Sequence, residues 1–501
     1  MGRFLYYIEK TGNALPHPAI LFGLLALATL VLSAVGAFFG WHAAHPATGQ
    51  QVDVVNLLSR DGIHRIILQM VTNFTAFAPL GVVIVALLGI GVAESSGLIR
   101  ASINYMLAKT PPQFITFMVI FAGLISNAAS EIGYVLVIPL AGVIFHSLGR
   151  HPIAGMSAAF AGVSGGYSAN IFIGTIDPLL AGLSTEAAHI IDPDYYVLPT
   201  ANYFFMAVST FVVTVVCTIV TVKWVEPRLG KYTGDVPREE ISQPTALEKK
   251  GLCVVGFVVL AWIILLAICL VPENGFLRGE DGTILSSPVL RGFIALLFVS
   301  ACSVGVVYGF TVGTFTKASD IIDSMSDTIK TIAAYLVLVF FASQFVAWFN
   351  WSHLGLLIAI NGASILKEAN IGLVPLIIIF VTFAGFLNLF MGSAAAKWAV
   401  IGPVFVPIFM LLGYSPELAQ AVYRVGDSVT NIITPMMSYF ALIIVYYQKY
   451  DKNSGIGTII ATMLPFSIAL YISWTLFLII WVLLELPLGP GSPLYYGIIE
   501  T

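Results

Sequence analysis

Residues 113–148, QFITFMVIFAGLISNAASEIGYVLVIPLAGVIFHSL, decide the fold. Pro112 to Ile125 is apolar. A patch of polar and small residues follows, Ser126-Asn127-Ala128-Ala129-Ser130-Glu131, and then a second apolar run to Leu148. The run before the patch is about 13 residues, or about 20 Å of helix, whereas a hydrocarbon core is about 30 Å thick. It is too short to cross. Residues 371–412 repeat the form. An apolar run ends at Leu387, the patch Asn388-Leu389-Phe390-Met391-Gly392-Ser393-Ala394-Ala395-Ala396-Lys397-Trp398 interrupts it, and another apolar run follows. Both regions read as re-entrant hairpins whose tips reach the membrane interior. Non-helical backbone persists there only when protein buries it or a wet cavity adjoins it. The alternative is two ordinary helices in each region.

The rest of the chain sets the hairpins in a membrane body. Of 501 residues, 58% are hydrophobic and 10% are charged, against about a quarter charged in soluble domains. Full-length apolar stretches lie near 19–39, 65–93, 152–184, 201–224, 251–271, 288–310, 327–350, 417–446 and 458–486. The sequence thus predicts an all-α integral membrane protein of about nine spans plus two hairpins. The first stretch exceeds a signal-peptide core and is expected to stay as a helix. Net charge is −4, and no basic run points to nucleic acid. The four cysteines lie inside apolar stretches without metal spacing, and read as small core residues.

Loop charges orient the spans. Arg3 and Lys10 place the N-terminus in the cytoplasm. If the first hairpin returns to its own side, the loop 223–250 falls inside, with Lys223, Arg228, Lys231, Arg238, Lys249 and Lys250. Lys317, Lys330, Lys449 and Lys452 also fall inside. Loops 185–199 and 272–287 fall outside with one basic residue, Arg278, and so does the tail after Leu486. Arg60 and Arg65 stand on the outer side, against the trend. The order span, amphipathic piece, hairpin, broken span, span occurs over 65–224 and again, inverted, over 327–486. Residues 1–64 precede the first copy, 225–326 hold a cytoplasmic loop and two linking helices, and 487–501 form the tail. Inverted repeats with interrupted helices mark secondary transporters, with the site at midplane between the copies.

Charged residues inside apolar stretches are costly and are functional candidates. Asp177 lies between Gly174 and Pro178 in the first broken span. Arg424 and Asp427 lie in the second, three residues apart and on one helix face; they either act on ligands or neutralise each other. Gly426, Asn431 and Pro435 suggest an unwound helix whose carbonyls bind a cation. Ser126, Asn127, Ser130, Asn388 and Ser393 bring oxygen atoms to the tips, as ligands for a hard ion such as sodium or as packing groups. Glu131 is a proton carrier or a residue of a wet cavity. Lys397 and Trp398 close the second tip, and Trp398 stacks on an aromatic substrate or packs. There is no HExxH and no GxxxxGK loop, and Gly455-Ile456-Gly457 is uninformative. An enzyme is not expected. Energy is expected from a proton or sodium gradient, in the bacterial cytoplasmic (inner) membrane.

Four stretches carry a family resemblance: Ser126-Asn127-Ala128-Ala129-Ser130-Glu131-Ile132-Gly133-Tyr134-Val135, Gly174-Thr175-Ile176-Asp177-Pro178-Leu179-Leu180-Ala181-Gly182, Ala396-Lys397-Trp398-Ala399, and Tyr423-Arg424-Val425-Gly426-Asp427-Ser428-Val429-Thr430-Asn431-Ile432-Ile433-Thr434-Pro435. Over essentially the whole chain the sequence resembles the AbgT family of p-aminobenzoyl-glutamate transporters. The divalent anion/sodium symporters share the plan but fit these motifs less closely. The resemblance implies a homodimer of nine-span subunits, transport of p-aminobenzoyl-glutamate, expulsion of sulfonamide antimetabolites by some members, and coupling to sodium or the proton motive force. It implies that Asp177, Trp398, Pro416, Arg424, Asp427 and Pro435 line the route, and that a sodium ion binds at Asn388 and Asp427. From the residues themselves, Asn127 and Ser393 are expected beside the route and Asn431 beside the ion. Ala395 stands where some relatives have Ser, so a hydroxyl contact to substrate is lost. The competing expectations are a sodium-coupled dicarboxylate importer, an intramembrane enzyme and a channel.

Overall fold

The computed structural model describes residues 18–44, 50–129, 133–237, 244–284, 286–331, 333–435, 437 and 439–497. Arg3, Lys10, Ser130, Glu131 and Arg238, used above, lie outside the described residues. Helices dominate because lipid offers no partner to a backbone N–H or C=O, so each segment must bond to itself. One short antiparallel ribbon, His42–Ala44 with Gln51–Asp53, stands apart in the loop after the first helix.

The helices run in two passes. The first holds α1 (Pro18–Phe38), the amphipathic α2 (Arg60–Thr75), α3 (Ala78–Ser95), α4 (Leu98–Ala108), the hairpin arms α5 (Ile115–Ser126) and α6 (Ile138–Ser147), the half-helices α7 (Pro152–Phe160) and α8 (Ile176–Ala188), and α9 (Tyr203–Val220). Then α10 (Ala246–Leu270) stands alone. The second pass repeats the order: α11 (Phe293–Val312), α12 (Ala318–Thr331), α13 (Ala333–Trp351), α14 (Leu354–Glu368), the arms α15 (Leu373–Asn388) and α16 (Ala394–Leu411), the half-helices α17 (Pro416–Asn431) and α18 (Phe440–Tyr450), and α19 (Ile456–Leu483).

Packing is reciprocal between the passes. Helices α1 and α2 pack on α13, while α11 and α12 pack on α3. In the same way α8 packs on α17 and α18 on α7, and α9 meets its counterpart α19. This is the contact pattern of a two-fold relation. It begins upstream of the copies expected at 65 and 327, because α1 and α11, expected to stand outside the repeat, obey it too. Only α10 has no counterpart. It adds one crossing between the passes, and an odd crossing is what turns the second pass over.

Seven expected spans are single apolar helices: α1, α3, α9, α10, α11, α13 and α19. The eighth helix of spanning length and composition is α16, the return arm of the second hairpin. The spans expected at 152–184 and 417–446 are each split into half-helices, α7 with α8 and α17 with α18. One boundary differs from expectation. The stretch 65–93 divides, because Phe77 is extended and Pro79 sits in the first turn of α3, where its missing N–H costs nothing. The stretch 327–350 covers α13 and, before residue 332, which lies outside the described residues, the end of the amphipathic α12. Asp320 anchors that helix by accepting from the Thr316 and Lys317 amides, which hold its carboxyl below the usual range.

Contacts between loops respect the sidedness read from charge. The Tyr195 hydroxyl donates to Glu417, that of Tyr496 donates to Asp192, and His353 bonds the Asp53 carbonyl, all on the outer side. Arg150 pairs with Glu226 at 2.5 Å, and Arg228 donates to the Ala461 carbonyl, both on the inner side. All four cysteines are free, but only Cys217 is a core residue; Cys253 is exposed, and Cys269 and Cys302 are half-covered. The reason is that α10 and α11 turn much of their apolar surface outward, so an apolar stretch there is lipid-facing rather than core.

Candidate transport site

The chain bends by 118° between α4 and the first hairpin arm, α5, and α5 has 12 residues, about 18 Å of helix. The second hairpin arm α15 has 16 residues, about 24 Å. Its turn ends at Ser393, whose hydroxyl accepts from the Ala396 amide and starts α16. Pro403 and Pro407 lie inside α16, each removing one intrahelical bond. The second tip lands on α17. Arms α15 and α17 cross closely, because a Cβ at Gly426 would stand 2.5 Å from the Val381 carbonyl oxygen.

Helix α17 explains how polar groups collect there. Its residues Pro416 to Val429 are all buried, yet Glu417, Gln420, Arg424, Asp427, Ser428 and Asn431 recur at helical spacing. The polar stripe faces protein rather than water. Each member therefore needs a partner, and most have one.

Two ion pairs organise the centre, and neither is the neutralising pair Arg424 with Asp427. Arg424 crosses to the first pass. Its Nη1 lies 2.7 Å from Asp177 Oδ1, and its Nη2 donates to the Ser168 carbonyl at 2.9 Å. The other oxygen of Asp177 accepts from the Gly174 amide at 2.8 Å. Asp427 instead pairs with Lys397, Oδ1 to Nζ, at 2.5 Å. Both of those side chains are 1% exposed. Two residues on one helix face thus point to two partners, one in each pass.

Asn388 joins the second pair. Its Oδ1 accepts from the Lys397 ammonium. Its Nδ2 donates to the Asp427 carbonyl at 2.7 Å, to Thr430 Oγ1 at 3.0 Å and to Asn431 Oδ1 at 2.7 Å. Asn431 in turn donates to the Ser164 carbonyl across the copy boundary. The expected sodium residues Asn388, Asp427 and Asn431 do come together. A sodium ion needs free oxygens around it, and these face hydrogens: the ammonium on one side, an amide NH2 on the other. With Lys397 in place the set does not fit sodium.

Trp398 is wholly buried. One ring face stacks on Tyr423 at 4.5 Å between centroids, and its Nε1 donates to Ser184 Oγ. From there bonds run from Ser184 to Gln420, Gln420 to Asn202 and Asn202 to the Glu417 carbonyl. In this closed arrangement no aromatic ligand reaches the indole. Pro416 starts α17 behind its cap Ser415, 11 residues and so about 16 Å from Asp427. It belongs to the outer end of the route rather than the centre. Pro435 follows α17, half-buried in the break.

Asn127, at the first tip, is buried, and both polar atoms of its side chain lack a hydrogen-bond partner among the described residues. Its backbone carbonyl adjoins Gly174, where a Cβ would stand 3.0 Å away. The network residues Ser184, Asn202, Gln420, Tyr423 and Ser168 escape sequence reasoning about intramembrane charge, since none of them carries one. The polar spacing on α17 is the signal for Gln420; for Ser184 and Asn202 we find none.

A helical membrane body in which two hairpin tips and two broken helices meet around buried ion pairs is a membrane transporter of the inverted-repeat kind. More narrowly, the chain belongs to the AbgT family: residues 3–496 match the family described as "AbgT putative transporter family". It is 36% identical over 491 residues, 98% of this chain and 96% of the relative, to the p-aminobenzoyl-glutamate transport protein of Escherichia coli strain K12. Two solved structures are similar along their whole length. The Alcanivorax borkumensis YdaH transporter is 44% identical with a TM-score of 0.90, covering 95% of this chain and 100% of that one. Neisseria gonorrhoeae MtrF, described as illuminating a class of antimetabolite efflux pumps, is 50% identical with a TM-score of 0.93, covering 98% and 100%. The family consists of transporters, not enzymes, as the missing catalytic motifs had led us to expect.

Proposed function

We propose that the chain is an ion-coupled transporter of p-aminobenzoyl-glutamate and related aromatic compounds in the bacterial inner membrane, and that it expels sulfonamide antimetabolites sharing that ring. The observation that carries this reading is the buried Arg424–Asp177 pair joining the two copies. A substrate carboxylate takes Asp177's place on Arg424, since guanidinium and carboxylate match as a bidentate pair. Loss of the cross-copy bond then frees one copy to move against the other. Asp177, released, carries the coupling proton. The substrate ring lies against Trp398 once Tyr423 leaves it. The same reading includes a homodimer, for which the outward apolar side chains of α10, among them Phe257, Ile263 and Ile268, offer surface beyond what lipid covers.

The test is flux of labelled p-aminobenzoyl-glutamate in proteoliposomes under separately imposed proton and sodium gradients. The expected result is accumulation against a concentration gradient, collapsed by a protonophore, with sulfonamides competing and ring-free dicarboxylates not. Flux that never exceeds equilibration contradicts it.

A further inference from the structure

The place between Asn388 and Asp427 already holds a cation. We propose that the chain's own Lys397 is the resident cation of this site, so that no sodium ion binds among Asn388, Asp427 and Asn431 while Lys397 is present. This rests on taking these residues as a cation-holding set, and not on the identity of the organic substrate.

Four observations support it. First, Lys397 Nζ touches a carboxylate oxygen and an amide oxygen of the set, Asp427 Oδ1 at 2.5 Å and Asn388 Oδ1, and is buried with them. An ammonium with two strong acceptors satisfies the carboxylate's charge; a second cation in the same low-dielectric space meets like-charge repulsion. Second, three further oxygens face a donor. The Asp427 carbonyl, Thr430 Oγ1 and Asn431 Oδ1 all accept from Asn388 Nδ2. Turning that amide over, so as to aim its oxygen at them, sets its NH2 against the ammonium, donor on donor. The lysine therefore fixes the amide in the orientation that excludes a metal.

Third, the tether is suited to the task. Lys397 lies one turn into α16, behind the cap Ser393, so the second hairpin carries the ammonium on a four-carbon stem. Fourth, the repeat isolates the pair. Counting from Asn127 and Asn170, the first pass has Leu136 where the second has Lys397, and Gly166 where it has Asp427. The cation and its counter-charge are present together at these positions in one copy and absent together from them in the other, where Asn127 has no partner among the described residues.

The test uses full-length protein in detergent micelles, with radioactive sodium binding and thermal unfolding compared in sodium chloride and choline chloride at equal ionic strength. No substrate is present, so a failed transport assay does not bear on it. Wild type is expected to show no saturable sodium binding and the same Tm in both salts. Lys397→Met, which keeps the stem and removes the charge, is expected to gain saturable binding of about one sodium per chain and a higher Tm in sodium, since a ligand of the native state stabilises it. Lys397→Met combined with Asp427→Asn is expected to lose both gains. Saturable sodium binding by wild type that Asp427→Asn removes overturns the proposal. So does folded Lys397→Met that ignores sodium. If Lys397→Met yields no folded protein in either salt, Lys397→Gln replaces it under the same two outcomes, and the wild-type measurement decides regardless.

Discussion

The two hairpin tips occupy matching places in the two passes and could hardly be more differently equipped. Asn388 spends every polar atom of its side chain on Asp427, Thr430, Asn431 and Lys397. Asn127 spends none on any described residue. One scaffold, used twice, supports a tip locked by charge and a tip with no such lock among the described residues. The difference teaches that symmetry of backbone does not extend to the chemistry. The ion pairs cluster on α17 and the second hairpin, and among the described residues the first pass contributes Asp177 as its one charge to that centre.

The contrast can be broken or sharpened by substitution. The largest effect is expected from Asp427→Ala, which leaves the Lys397 ammonium buried without its carboxylate. Breaking a buried pair from one side costs about 3–5 kcal/mol, and we expect coupled transport to be abolished in protein that still folds. Wild-type flux in that variant contradicts the account. Asn388→Ala comes next. It removes one acceptor from the ammonium and strips three oxygens of their donor, a loss of about 1–3 kcal/mol read as a lowered midpoint in chemical unfolding. Asp177→Asn keeps a polar group beside Arg424 but discharges the cross-copy bond. It should slow transport by about tenfold, corresponding to about 1.4 kcal/mol, while weakening substrate binding less; equal losses in flux and binding count against its role in motion. The smallest change in stability is expected from Asn127→Ala, within about 0.5 kcal/mol, because no hydrogen bond is lost. If Asn127→Ala costs as much as Asn388→Ala, the two tips are equivalent and the comparison fails.

Much of this plan was legible in the chain, for reasons that differ by element. The hairpins showed themselves through length, since an arm of 12 residues cannot cross a bilayer whatever surrounds it. The positions of Asp177, Arg424 and Asp427 showed themselves through the cost of charge in lipid. Their partners did not. The spacing of Arg424 and Asp427 places both on one face, and only the three-dimensional crossing of α17 with α8 and α16 sends one to Asp177 and the other to Lys397. Lys397 was visible as a charge but not as the occupant of the expected sodium site, because a long side chain's reach cannot be read from its position. The amphipathic helix α2 was partly hidden inside the apolar stretch 65–93. Its separateness from α3 depends on an extended Phe77, which hydropathy averages away.

Two polar turns suspended within the bilayer, entered from opposite faces, are the claim on which everything else depends. Single cysteines at Ala128 and Met391, in a background lacking Cys217, Cys253, Cys269 and Cys302, test it with a membrane-impermeant maleimide applied to right-side-out and inverted vesicles. The account predicts that both sites react far more slowly than cysteines in the loops, Ala128→Cys from the cytoplasmic side alone and Met391→Cys from the outer side alone. Rapid labelling of Ala128→Cys from outside and of Met391→Cys from the cytoplasm means that every arm crosses in full, and contradicts it.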